Sequence, residues 1–185
     1  MRITAALVVA CLAAAPVTIA AADTPAPTVP AAPTGTVPAV NIAFATKALD
    51  AAETVSKACQ ANLDTAKAAA QLPLAGDKAK KKVDSAQGAL DVSNGIKTDL
   101  AAVAGGKAPA ADGVLAQIAA SQLAPKEGEK ASPSPLDKLK KIPGAQTVVD
   151  VLSTPGVAGA LVQALPLDKV PGYSTAAQAL GLAAP

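Results

Sequence analysis

Hydrophobic and small residues recur every three or four positions from Ile42 onward: Ile42, Ala45, Leu49, Ala52, Ser56, Cys59, Leu63, Ala66 and Ala70. That spacing places them in one stripe along a helix over about 41–71. The other face carries Lys47 with Asp50, Glu53 with Lys57, and Asp64 with Lys67, pairs that support a solvated helix. Leu72-Pro73 ends the segment, because the residue before proline is pushed out of helical space. A second helix is expected over about 77–104, capped by Asp77 and striped by Ala79, Val83, Ala86 and Leu90. Asn94-Gly95 interrupts its register, Ile96, Leu100 and Val103 restart it, and Gly105-Gly106 terminates it. A connection of only Leu72 to Gly76 suits an antiparallel hairpin. The predicted fold class is therefore all-α, an Ala-rich helical hairpin.

The facing stripes are mostly alanine, which buries little area at about 25 cal/mol per Å². Further cover is needed, from the C-terminal half or from a second copy of the chain. Segments 105–112 and 125–135 read as loops on glycine, proline and charge, and Asp112 is expected to cap a short helix carrying Leu115, Ile118, Ala119 and Leu123. Within 136–185 a degenerate repeat appears: Pro143-Gly144, Pro155-Gly156 and Pro171-Gly172 each precede a short apolar run, ending at Leu152, Leu165 and Leu180. Pro135-Leu136-Asp137-Lys138 is echoed by Pro166-Leu167-Asp168-Lys169. The unequal spacing of the Pro-Gly pairs argues against a solenoid and for short helices strapped over the hairpin. Leu161, Val162, Leu165, Leu167 and Val170 are the residues expected to be buried by that strap.

Ahead of the helices, residues 1–22 have the pattern of a secretory signal, with Arg2, an apolar run from Ile3 to Ala15, and small residues Ala20 to Ala22 before Asp23. Val8-Val9-Ala10-Cys11 resembles a lipoprotein lipobox, although the apolar run continues past the cysteine. Residues 23–40 hold Pro25, Pro27, Pro30, Pro33 and Pro38 and read as a disordered, extended tether. Leu72-Pro73-Leu74-Ala75-Gly76 resembles a wall-anchoring motif but lies mid-chain ahead of a Lys-rich helix, which is the wrong context. The expected domain plan is a signal (1–22), a linker (23–40) and one small helical domain (41–185), in a protein that is secreted or associated with the cell envelope.

Composition narrows the chemistry. Alanine supplies 48 of 185 residues, there is no His or Trp, and Arg2 is the single arginine. Without His no His-based triad or proton shuttle can be assembled. No Ser-x-x-Lys, Gly-x-Ser-x-Gly, dinucleotide or phosphate-loop motif occurs, and one mature cysteine cannot build a zinc site. The expectation is a protein that is not an enzyme and uses no cofactor. A net charge of +2 with 1% aromatic residues also disfavours nucleic acid as a partner.

Two features remain as candidate contacts. Lys78, Lys80, Lys81 and Lys82 form a basic cluster suited to polyanions, namely an envelope polymer or an anionic lipid surface, with Lys138, Lys140 and Lys141 a smaller second cluster. Cys59 on the apolar stripe is either a buried small hydrophobe or the site of an intermolecular disulfide in a homo-oligomer. The expected function is contact or self-association by a non-catalytic helical protein; the alternative is a carrier that lays amphipathic helices on lipid or another apolar surface.

Overall fold

The computed structural model describes residues 36–72, 76–123 and 134–182. The proposed signal, the lipobox Cys11 and most of the proline-rich tether fall outside the described residues, as do residues 73–75 of the anchoring-like motif. Every element among the described residues is helical. Two long helices, α1 (Ala39–Ala70) and α2 (Gly76–Ala104), pack side by side as the hairpin that the periodicity predicts. Their register is pinned where the Ser56 hydroxyl donates to Asn94 Oδ1 at 2.7 Å. α1 begins two residues before the expected boundary, after Pro38, and Val37 just ahead of it is buried, so the end of the tether belongs to the folded domain.

The buried face of α1 is rotated from the expected stripe. Asn41, Phe44, Ala45, Ala48, Ala52, Val55, Cys59 and Leu63 are enclosed, while Ile42, Leu49 and Ser56 are only half-buried. The reason is a second direction of cover, since C-terminal elements also rest on α1 and move the centre of the buried arc. Cover thins partway along the hairpin. Among the described residues none of α1 beyond Leu63 and none of α2 before Ala86 is fully buried, and Ala66, Ala70, Ala79 and Val83 are half-buried, so the far end of the hairpin is only partly covered. At 1.5 Å per residue, this partly covered end of α1 is on the order of 10 Å long.

Asn94-Gly95 does not interrupt α2, which runs through both residues. Glycine inside a helix costs about 1 kcal/mol relative to alanine, and here it serves a packing need. A Cβ on Gly95 would overlap Cγ2 of Val114, the first residue of α3 (Val114–Gln122). Asp112 is not the cap of α3 either: it is exposed, and the N-terminus is capped from α2, where Asp99 Oδ2 accepts the Leu115 N–H at 2.8 Å. Gly113 permits that approach, because a Cβ there would stand 2.5 Å from the Asp99 oxygens. Local sequence spacing could not show a cap sixteen residues away.

The C-terminal strap follows its sequence repeats closely. Gly144, Gly156 and Gly172 take φ of +80, +86 and +84°, the left-handed conformation that favours glycine, and α4 (Gln146–Ser153), α5 (Val157–Val162) and α6 (Tyr173–Ala179) follow them. Both Pro-Leu-Asp-Lys segments contribute a 3-10 turn, Pro135–Lys138 and Leu167–Lys169, each burying its leucine. Of the five residues expected under the strap, Leu161 and Leu167 are buried, Val162 and Val170 half-buried, and Leu165 exposed. Leu165 is held by its backbone instead. Asn41 Nδ2 donates to the Leu165 carbonyl at 2.8 Å, and Asn41 Oδ1 accepts the Leu167 N–H at 3.0 Å. Ala164 takes φ of +52° so that the chain can turn back to this clamp. The only phenylalanine and the only tyrosine meet at the same end, with the rings of Phe44 and Tyr173 6.0 Å apart.

Asn41 thus joins the first turn of α1 to a segment more than 120 residues downstream. Asn41→Ala is expected to cost about 2–3 kcal/mol, because it leaves a backbone donor and acceptor unpaired at a buried site; urea unfolding measures it, and a loss under 0.5 kcal/mol would show that water replaces the clamp.

Burial holds the Asp99 carboxyl above the usual carboxylate range, the Leu115 and Val114 N–H groups draw it partly back, and Asp112 adds to the rise. The folded state therefore binds this proton more tightly than the unfolded chain. Asp99 contributes stability that is fully present below the unfolded carboxylate range, about pH 4, and lost as pH rises through the elevated folded value. The stability of the wild type minus that of Asp99→Asn should fall as pH is raised from ~4 toward neutrality; a difference independent of pH would remove Asp99 as the titrating group.

Candidate anion-binding surface

The four-lysine cluster is divided by helical geometry. Residues two apart point to opposite sides of a helix, and all four lysines are exposed at the start of α2. Lys80 turns to an open cleft at the hairpin end that it shares with Lys67, Ala70, Ala79 and Val83. Lys82 turns to the other side. There it lines a groove of about 590 Å³ together with Lys138 and Lys141 from the strap. Lys78 and Lys81 stand in solvent and line neither space.

The fold therefore brings the two clusters together, although 56 residues separate Lys82 from Lys138 in sequence. Three elements make the groove: α1 through Asn62, Thr65, Ala66 and Ala69, α2 through Lys82, Ser85, Ala86 and Ala89, and the first 3-10 turn with Lys141 and Ile142 after it. Its floor is apolar and its rim is cationic. A second depression of about 510 Å³ continues it, sharing Asn62, Thr65 and Lys141. The stem of Lys138 crosses α2 over Gly88, where a Cβ would stand 3.4 Å from Nζ and 3.6 Å from Cδ. A side chain larger than alanine at position 88 would move that ammonium.

The rim has one carboxylate, Asp137, and its Oδ1 is paired with Lys140 Nζ at 2.7 Å. No other ion pair forms among the described residues, which leaves Lys82, Lys138 and Lys141 uncompensated within them. Asn62 and Ser85 likewise make no side-chain hydrogen bond among the described residues, whereas the Thr65 hydroxyl donates to the Ala61 carbonyl at 2.8 Å. The sequence pattern did not single out Asn62 or Ser85. Their only signal was placement on the helix faces flanking the small-residue stripe.

Cys59 is enclosed in the hairpin seam, 0% exposed and free. Ser93 of α2 lies beside it, its oxygen buried without a nitrogen or oxygen partner among the described residues. Burial pushes the Cys59 thiol above its ordinary value, and the Ser93 side chain offsets part of that rise. A disulfide between two chains would require the seam to part. Elsewhere, an apolar groove of about 340 Å³ runs between α3 and α5, with Leu123 at its rim. Among the described residues no three Cys, Asp or Glu side chains are placed to hold a metal ion, and no helix is long and apolar enough to cross a membrane.

No family model, curated protein or solved structure matches the chain.

The Cys59 environment makes a kinetic prediction. A disulfide reagent at mildly alkaline pH should react with the native chain at least about 100-fold more slowly than with the urea-unfolded chain, because reaction needs local opening and a thiolate. Equal rates would place the sulfur at the surface.

Proposed function

We propose that this is a non-catalytic, secreted or envelope-associated helical protein that works by contact, attaching to polyanionic material through the basic end of its hairpin. The observation that carries the reading is the coincidence of a shallowly packed hairpin end and positive charge. Residues 57–82 and 137–142 contain nine lysines against three aspartates, and they include the stretch of the hairpin with no fully buried residue among those described. Elsewhere among the described residues acidic side chains outnumber lysines. A molecule charged this way presents one end to a polyanion and orients as it approaches. Lysine without arginine suits diffuse attraction to a charged polymer or lipid surface better than bidentate recognition of one fixed group.

A second reading, a carrier for lipid or another apolar ligand, draws on the α3–α5 groove and on Leu72 and Leu123, which are 64% and 73% exposed. It predicts helicity that changes with neutral vesicles, and the basic-end reading does not.

Retention on immobilised dextran sulfate tests the proposal. The wild type should elute at a salt concentration that falls sharply in Lys78→Glu/Lys80→Glu/Lys81→Glu and changes little in Lys47→Glu/Lys97→Glu, since charge contacts are screened by salt. Equal elution of the two variants would overturn it.

A further inference from the structure

We propose that the groove between the hairpin and the first 3-10 turn is a discrete site for one dissolved phosphorylated amphiphile, its phosphate held by Lys82, Lys138 and Lys141 and its apolar body laid on Ala66, Ala69 and Ile142. The positive sign of the site rests on the basic-end reading. Its confinement and its apolar floor do not. At about 590 Å³ the groove falls in the range of small-molecule sites, roughly 300–1,000 Å³, whereas the Lys78 and Lys81 surface is open solvent.

Three ammonium groups that form no ion pair among the described residues line this one groove, and they favour a dianion over a carboxylate. A phosphate monoester carries close to two negative charges at neutral pH and offers three acceptor oxygens. Each ammonium supplies three donors, and the Asn62 amide and Ser85 hydroxyl on the same rim add polar partners. Asp137 would oppose an anion, but Lys140 engages it. A sugar-phosphate polymer would satisfy the lysines and leave the alanine and isoleucine floor wet. A ligand with a short alkyl body covers the floor and gains the burial of apolar surface as well. Lys138 lines the groove, and its side chain rests on Gly88 of α2, so its ammonium is held against the helix rather than free on a long tether.

The test uses the full chain and octyl phosphate below its micelle concentration, read by isothermal titration and by amide chemical shifts. Octyl glucoside supplies the same tail without charge, and glycerol 3-phosphate supplies the head without the tail. Octyl phosphate should bind 1:1, at least tenfold more tightly than either comparison ligand. Lys138→Glu/Lys141→Glu and Ala69→Glu change exposed positions, so circular dichroism should match the wild type while affinity falls at least tenfold. Gly88→Met keeps every charge and should weaken binding by displacing Lys138. Lys78→Glu/Lys80→Glu/Lys81→Glu should stay within about threefold of wild type. The inference is overturned by binding that ignores the Lys138/Lys141 or Ala69 changes, by equal affinity for a comparison ligand, or by association only with phosphatidic acid vesicles. If dextran sulfate retention fails while octyl phosphate still binds, the surface reading falls and the groove stands.

Discussion

Two helices that face one another with alanine come close together but bury little per residue, and that constraint shapes the rest of this molecule. Along the seam, Ala45, Ala48, Ala52, Ala86 and Ala89 let the backbones approach, with Val55, Leu63, Ile96 and Leu100 as the bulkier contributors. The methyl groups alone would leave a marginal hairpin, since helix stability in proteins comes mostly from packing one face. No disulfide reinforces the seam, because Cys59 is free and sealed within it. The additional apolar area comes from the strap, whose Leu139, Leu152, Leu161 and Leu167 join the same buried cluster. One core results, fed from both halves of the chain.

The strap is secured at polar points as well as by hydrophobic burial. Asn41 reads two backbone groups of the α5–α6 connection, Asp99 caps α3 from the side of α2, and Gln122 Nε2 donates to the Leu152 carbonyl at 2.6 Å. Each contact satisfies a backbone group that irregular chain would otherwise leave unpaired. Directionality matters here because alanine-rich surfaces offer few shapes to interlock. Apolar contacts can slide with little loss, whereas a bidentate amide fixes one register.

Much of this was legible in the sequence, and what was missed has a common cause. The stripe over 41–71, the short connection and the Pro-Gly and Pro-Leu-Asp-Lys repeats are local signals, and they point to the hairpin and to short helices after it; the left-handed glycines and the two 3-10 turns at those repeats are seen in the structure. Gly95, Asp112 and Leu165 were misread because their roles depend on residues far along the chain: Gly95 on Val114, the α3 cap on Asp99 rather than its neighbour Asp112, and Leu165 on Asn41. The same limit applied to the candidate site. Each lysine cluster could be seen alone, but periodicity within one helix says nothing about which strap residues will lie across it. Lys82 was visible as one of four equivalent lysines. Helical geometry turns it away from Lys80, and the docking of the first 3-10 turn gives its side of the helix the partner lysines.

The two Pro-Leu-Asp-Lys segments show how one local solution serves two ends. In both, proline sets the entry, leucine is buried, and the charged pair stays in solvent. The second lies against α1 and α5, where Leu167 offers its N–H to Asn41, so its contribution is to closure of the domain. The first lies against α2 and α3, and there its lysine rests on Gly88 and lines the groove. Burying Leu136 thus fixes where the Lys138 ammonium stands. The feature that limits stability also shapes the groove: alanine packing leaves the hairpin end shallow, and the strap's margin sets lysines beside alanine and isoleucine that would otherwise be plain surface.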